Sequence, residues 1–229
     1  MPKAINKHFD RLSVRLSTNK HPNKSTMKKI YLIILLLALF SSCHKPEEGE
    51  GGTPPPFKTY EIGDIFSNDT IRGIVFFTYH GGTNGLMVSL DDTLTEWCYP
   101  NFILNETGAI NANDGWNNTN ILMSCFYLLD YPAIKWTFDK NWWYEAGNIR
   151  PKDWYLPSKR ELGYLLQNQE AVNETLVSLG YNTMEGKTFW ASTETGTKTA
   201  AAGYLNDSVA VIEARQKDNK FYVRAIRQF

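Results

Sequence analysis

The chain has 229 residues, with 24 Lys and Arg balanced by 24 Asp and Glu, 42% apolar residues and 14% aromatic ones. This apolar share excludes a wholly disordered chain, and the even charge excludes the basic footprint of a nucleic-acid-binding protein. Four His and three Cys leave little material for a disulfide framework, a zinc centre or a His-dependent catalytic triad.

In chain order, the first element is the apolar run Ile30–Phe40, preceded by Lys28 and Lys29 and followed by Ser41, Ser42 and Cys43. It is shorter than the roughly 20 residues that span a bilayer and has the length of a secretory h-region. The arrangement resembles a bacterial lipoprotein signal, which implies cleavage before Cys43 and acyl chains such as palmitate on that residue. Phe40 departs from the leucine or valine that is commoner at its position. An ordinary signal peptide followed by a chance cysteine is the alternative. Met27 is the expected start, and residues 1–42 are read as a signal region.

Residues 1–42 hold eight basic side chains and one acidic one, so 16 basic and 23 acidic side chains remain, a net charge of −7. An acidic body is unsuited to nucleic acid and is repelled by anionic headgroups. Membrane attachment is therefore expected through lipid on Cys43 alone. Residues 43–56, the lipidated cysteine and the Gly- and Pro-rich stretch behind it, read as a flexible linker. The acidic residues in "CHKPEE" resemble an export signal to the outer face of the cell. The expected location is the outer membrane, surface-exposed, with a periplasm-facing anchor as the alternative.

Residues 57–229 amount to one domain. "IRGIVFFTY" (Ile71–Tyr79) and "LMVSL" (Leu86–Leu90) predict strands joined by the turn "HGGTNG". The stretch from Asp91 to Asn118 reads as loop. "TNILMSCFYLLD" predicts a helix capped by Thr119 or Asn120, and Tyr131–Lys140 a second, short one. Ser158 and Glu161 form a capping-box pattern, followed by the apolar stripe Leu162, Leu165 and Leu166, with Gly180 as the stop. "AAAGYL" turns at Asn206-Asp207 into "SVAVIEA", and Lys217–Asn219 turns into "FYVRAIRQF". Hairpin, helices and hairpins make an α+β domain with antiparallel sheet and flanking helices.

The pieces "GDIF…GIVFF…GLMVSL", "YPAIKW", "WYLPSKREL", "FWASTE" and "VRAI" resemble a family of bacterial lipoproteins and collagen-like-lectin C-terminal domains, among them the major paralogous domain proteins. The resemblance runs from Tyr60 to Phe229. It implies a C-type-lectin-like domain whose N- and C-terminal strands are adjacent, and it implies no assigned activity.

Trp136, Trp154 and Trp190 sit in family-like positions and are read as core. "NWWYEAGN" offers Trp142, Trp143 and Tyr144 as a candidate binding platform for a glycan or surface protein. "NANDGWNN" (Asn111–Asn118) alternates oxygen ligands but lacks the closing glutamate of a calcium loop, so it is read as a polar turn, and no metal or cofactor is expected. Cys98 and Cys125 are a possible disulfide that their spacing alone does not establish. The fold implied is also similar to that of formylglycine-generating enzymes, whose late cysteine pair has no counterpart after Cys125. Glu161 is assigned to the helix cap and Glu194 to structural hydrogen bonding, so an enzyme is not expected. Thr70, Thr93 and Ser208 each follow Asp and precede an apolar residue, the acceptor pattern for O-glycosylation of some exported bacterial proteins. The function expected is a lipid-anchored, non-catalytic glycan- or protein-binding module. A structural component of a surface assembly is the alternative, and an enzyme the third reading.

Overall fold

The computed structural model describes residues 57–125, 128–141 and 153–229, except for the Cys125 side chain. Chain order dictates a first sheet built on one hairpin: β2 (Arg72–Tyr79) and β3 (Asn84–Val88), flanked by β1 (Ile65–Ser67) and β9 (Ile226–Gln228). β2 carries Ile74, Val75 and Phe76 in sequence, all buried, so both its faces are covered. Its turn runs through His80, Gly81 and Gly82, all at positive φ. Gly82 is required there, because a Cβ would lie 2.6 Å from the Tyr60 carbonyl oxygen.

The second sheet has the order β4 (Thr93–Glu96), β8 (Lys220–Val223), β5 (Phe189–Gly196), β6 (Thr199–Asn206), β7 (Val209–Gln216). All pairings in both sheets are antiparallel except the short one between β5 and β8 at Phe189 and Tyr222. The β6–β7 hairpin turns through Asp207 and Ser208 at φ 45° and 67°, the left-handed geometry of a two-residue turn that matches strand twist. The described residues also hold four α-helices: α1 (Gly115–Cys125), α2 (Pro132–Phe138), α3 (Lys159–Gln167) and α4 (Gln169–Ser178). The result is a mixed helix-and-sheet fold with antiparallel sheets.

Helix α3 forms as its pattern predicts. Ser158 accepts from the Glu161 N–H at 3.3 Å, and Glu161 Oε2 accepts from the Ser158 N–H at 2.7 Å, a complete capping box. Leu162, Leu165 and Leu166 are fully buried against Ile74, Phe76 and Phe189. A second apolar cluster gathers Trp97, Leu122, Ile134, Trp190 and Val223. A third joins Tyr60, Val75, Met87, Trp154 and Phe229.

Five expectations are corrected. The first and last strands are not adjacent: β1 and β9 occupy opposite edges of the first sheet, because β1 folds back onto β2 and leaves only the edge of β3 open. Phe66 and Phe229 still meet across that sheet, ring centroids 5.2 Å apart. The stretch read as loop contains β4, a short edge strand held by β8. Helix α1 begins at Gly115, four residues before Thr119, with Asp114 Oδ1 accepting from the Asn117 N–H at 2.9 Å. The helix after Ser158 divides at Asn168 (φ −104°, ψ 16°) into α3 and α4. The C-terminal "FYVRAIRQF" is two strands in different sheets. Buried Arg224 stands at the crossing and donates to the carbonyls of Ser89 (2.8 Å), Leu90 (3.1 Å) and Asn182 (2.7 Å) and to Asp92 (3.2 Å).

Candidate functional site

The predicted platform Trp142, Trp143 and Tyr144 and the lipidation residue Cys43 lie outside the described residues. Cys98 is a buried free thiol, and burial pushes it up from 9.0 to about 12. Cys125 closes α1, and its side chain is outside the described residues. Thr70 is exposed in a turn closed by Asn68, whose side chain accepts from the Thr70 and Ile71 N–H groups. Thr93 is half-buried at the start of β4, and Ser208 is exposed at the tip of the β6–β7 hairpin. Trp154 and Trp190 are buried, and the Trp190 indole donates to the Thr95 carbonyl at 3.1 Å. Trp136 is half-buried beneath the ammonium of Lys140, 3.9 Å from its ring centroid.

The two carboxylates assigned structural roles are both buried and fully engaged. Glu161 accepts from the Gly115 N–H (2.9 Å), the Ser158 N–H (2.7 Å) and the Tyr155 hydroxyl (2.9 Å). Burial nevertheless holds its pKa above the ordinary carboxylate value, with those donors pulling the other way. Glu194 pairs with Lys217, a residue the sequence places in a plain turn. Glu194 also accepts from the Thr107 N–H (2.9 Å) and hydroxyl (3.0 Å), while Lys217 donates to the carbonyls of Asn105 (3.0 Å) and Thr197 (2.8 Å). These groups build the frame; none is left facing an open space.

In the Asn111–Asn118 loop, the side-chain oxygens of Asn111, Asp114 and Asn118 are likewise spent on the fold. Asn118 is buried; its amide donates to the Asn111 carbonyl at 2.7 Å and accepts from the Asn111 N–H at 2.9 Å. Among the described residues, no three His, Cys, Asp or Glu side chains converge into a metal-binding group. No described helix is long and apolar enough to cross a membrane.

One of the open grooves among the described residues, of about 810 Å³, lies between α3 and β7. Its position follows from the cap. The Arg160 N–H donates to the Ala112 carbonyl (2.9 Å) and the Lys159 N–H to Thr193 Oγ1 (2.9 Å), which fixes α3 against the polar loop and β5. Ala210 and Ile212 of β7 and Gly163 of α3 form the apolar floor; Asn113, Lys159, Arg160 and Gln167 supply the polar rim. Tyr164 lines the groove while its ring stacks on Phe77, centroids 4.5 Å apart and 8° from parallel.

No family model matches the chain, and no curated protein matches it. Among solved structures it is similar to a fimbrial protein from Bacteroides ovatus ATCC 8483, at 22% identity and a TM-score of 0.48. The match covers 63% of this chain and 36% of the fimbrial protein, so the chain spans little more than a third of that protein's length.

Gly163 is the informative residue of the groove. Mid-helix glycine costs about 1 kcal/mol relative to alanine. At some other positions glycine is forced by contact: a Cβ on Gly115 would lie 2.5 Å from the Leu156 carbonyl oxygen, and one on Gly85 2.1 Å from that of Phe77. At Gly163 the nearest atom is Ile212 Cδ1 at 3.6 Å, an ordinary contact, and its φ is not left-handed. Packing therefore does not demand glycine here; what glycine does is keep the floor low. The groove escapes sequence pattern because its two walls, α3 and β7, are far apart in the chain. The visible signal was the glycine inside the amphipathic "KRELGYLLQ".

Proposed function

We propose that the chain is a lipid-anchored protein of the outer membrane, exposed at the cell surface, whose folded part is a C-type-lectin-like, non-catalytic module that binds a glycan or a protein partner. The lipoprotein-like signal ending at Cys43 and the acidic linker behind it support the location. The motif resemblance, together with a mixed helix-and-sheet fold, supports the fold type. The observation that carries the binding role is the groove over Gly163, where a helix forgoes stability to keep space open on rigid elements.

The test starts from chain purified out of the membrane fraction, with mass spectrometry reading acyl groups on an N-terminal Cys43. The acylated protein and its Gly163→Leu variant are then compared on a glycan array and in capture of labelled envelope proteins. Leucine suits a helix better than glycine, so the variant is expected to stay folded while losing binding. Equal binding by the two proteins removes the groove from the function, and an unacylated chain retained in the cytosol removes the location.

A structural role in a surface assembly is the second reading, favoured by β7. This eight-residue edge strand of the second sheet has Val209 63% exposed, the kind of open edge that pairs with another chain.

A further inference from the structure

We propose that the groove between α3 and β7 takes an acidic polysaccharide, with Lys159 and Arg160 pairing its anionic groups. The proposal rests on the binding role given above and names its ligand class.

Lys159 and Arg160 stand in the first turn of α3, at the positive end of the helix dipole, where a cation is disfavoured and an acid preferred. They are exposed, and neither forms an ion pair among the described residues. Several cations elsewhere are neutralised, among them Lys187 by Asp92 at 2.8 Å, Lys217 by Glu194 and Arg224 by Asp92 at 3.2 Å. No carboxylate lines the groove. Two unpaired cations thus face a cavity without an acid, on a chain whose residues 43–229 carry a net charge of −7. Two local rules are broken side by side, a glycine inside the helix and cations at its start, and both breaks serve the same space.

The helix N-terminus itself is not the anion site. Its N–H groups are already taken by Thr193 Oγ1, Ala112 O and Ser158 Oγ. An anionic group must therefore meet the side chains, where the planar Arg160 fork suits a carboxylate or sulfate. The rest of the lining fits a sugar ring. The small floor at Gly163 and Ala210 admits a flat pyranose, the Tyr164 edge offers an apolar contact, and the Asn113 and Gln167 amides can donate to and accept from hydroxyls. An anionic membrane is disfavoured as occupant, because a flat surface meets the acidic body as a whole. A polysaccharide segment meets the groove, and charges farther off than about 8 Å are screened at physiological salt.

Calorimetry of the full acylated chain in detergent tests this with oligogalacturonate, a neutral maltooligosaccharide of equal length and poly-glutamate. Oligogalacturonate is expected to bind at least about tenfold more tightly than either control and to weaken as salt rises. Arg160→Glu and Lys159→Glu are each expected to lose about tenfold or more of that affinity. Both replace exposed residues with an acid that suits the first helical turn, so their unfolding midpoints should hold or rise. Unchanged affinity in both variants overturns the proposal. Neutral sugar bound as tightly as the acidic one, and lost in Gly163→Leu, overturns the acidic class and leaves the binding role standing. Poly-glutamate bound as tightly as oligogalacturonate overturns the saccharide. No saccharide bound at all, with envelope-protein capture intact, overturns the ligand class and leaves a protein-binding module.

Discussion

Replacing Lys217 by methionine tests the interior most severely. The Lys217 ammonium is fully buried, paired with Glu194 and bonded to the carbonyls of Asn105 and Thr197. Methionine fills much of the stem's volume and removes the charge. It leaves the Glu194 carboxylate buried with only the Thr107 and Gly108 donors, and leaves two carbonyls without their donor. Breaking one side of a buried pair costs about 3–5 kcal/mol, a large share of the roughly 5–15 kcal/mol that holds a domain folded. With a urea slope of about 2 kcal/mol per molar, the midpoint should fall by about 2 M. Glu194→Gln in the same chain removes the stranded charge and keeps an oxygen for Thr107 and Gly108. The double variant should therefore recover at least about 1 kcal/mol of the single variant's loss. A fall below about 0.5 M for Lys217→Met, or a double variant no more stable than the single one, would show that the pair is not the buried unit described.

Two other outcomes follow from contacts of the same kind. Gly115→Ala and Gly163→Ala should have opposite signs in thermal unfolding. The first drives a Cβ to 2.5 Å from both Leu156 O and Ser158 N and costs about 3 kcal/mol, whereas the second has room and gains about 0.5–1 kcal/mol; stabilisation by both would refute the packing around Gly115. Cys98 is raised by burial from 9.0 to about 12, so in the native state its proton is retained across a range where the unfolded thiol ionises. Its contribution to stability is full below pH 9 and declines as pH rises towards 12, by about 1.4 kcal/mol per pH unit. Cys98→Ala should flatten that alkaline slope, and the thiol should resist iodoacetamide at pH 8 until urea unfolds the chain.

What could be read from the sequence was what is local. The capping box at Ser158 and Glu161 and the stripe of Leu162, Leu165 and Leu166 depend on neighbours a few residues away and formed as read, while the turn read at Asn206-Asp207 lies one residue later, at Asp207 and Ser208. Helix α1 was misjudged at its start because Asp114 lay inside a run of Asn and Asp residues, any of which suits a cap. β4 was missed because Thr-Leu-Thr-Glu gains its strand character from β8 across the sheet. The Glu194–Lys217 pair and the groove over Gly163 join segments that the chain keeps apart. Periodicity carries no trace of such pairs; only the misplaced glycine and the two cations of "KRELGYLLQ" hinted that α3 serves more than the core.

The position of β9 governs when this domain can assemble. Val88 of β3 must wait for Ile226, and Tyr155 bridges to that same residue. A chain released N-terminus first holds its opening hairpin with one raw edge, and Tyr60 and Phe66 stay without Phe229, until the long stretch between them has emerged. Such distant closure makes folding slow and late, with the early strands exposed to other chains meanwhile. Synthesis rate, and any chaperone that shields β3 during the interval, should therefore decide yield more than the stability of the finished fold.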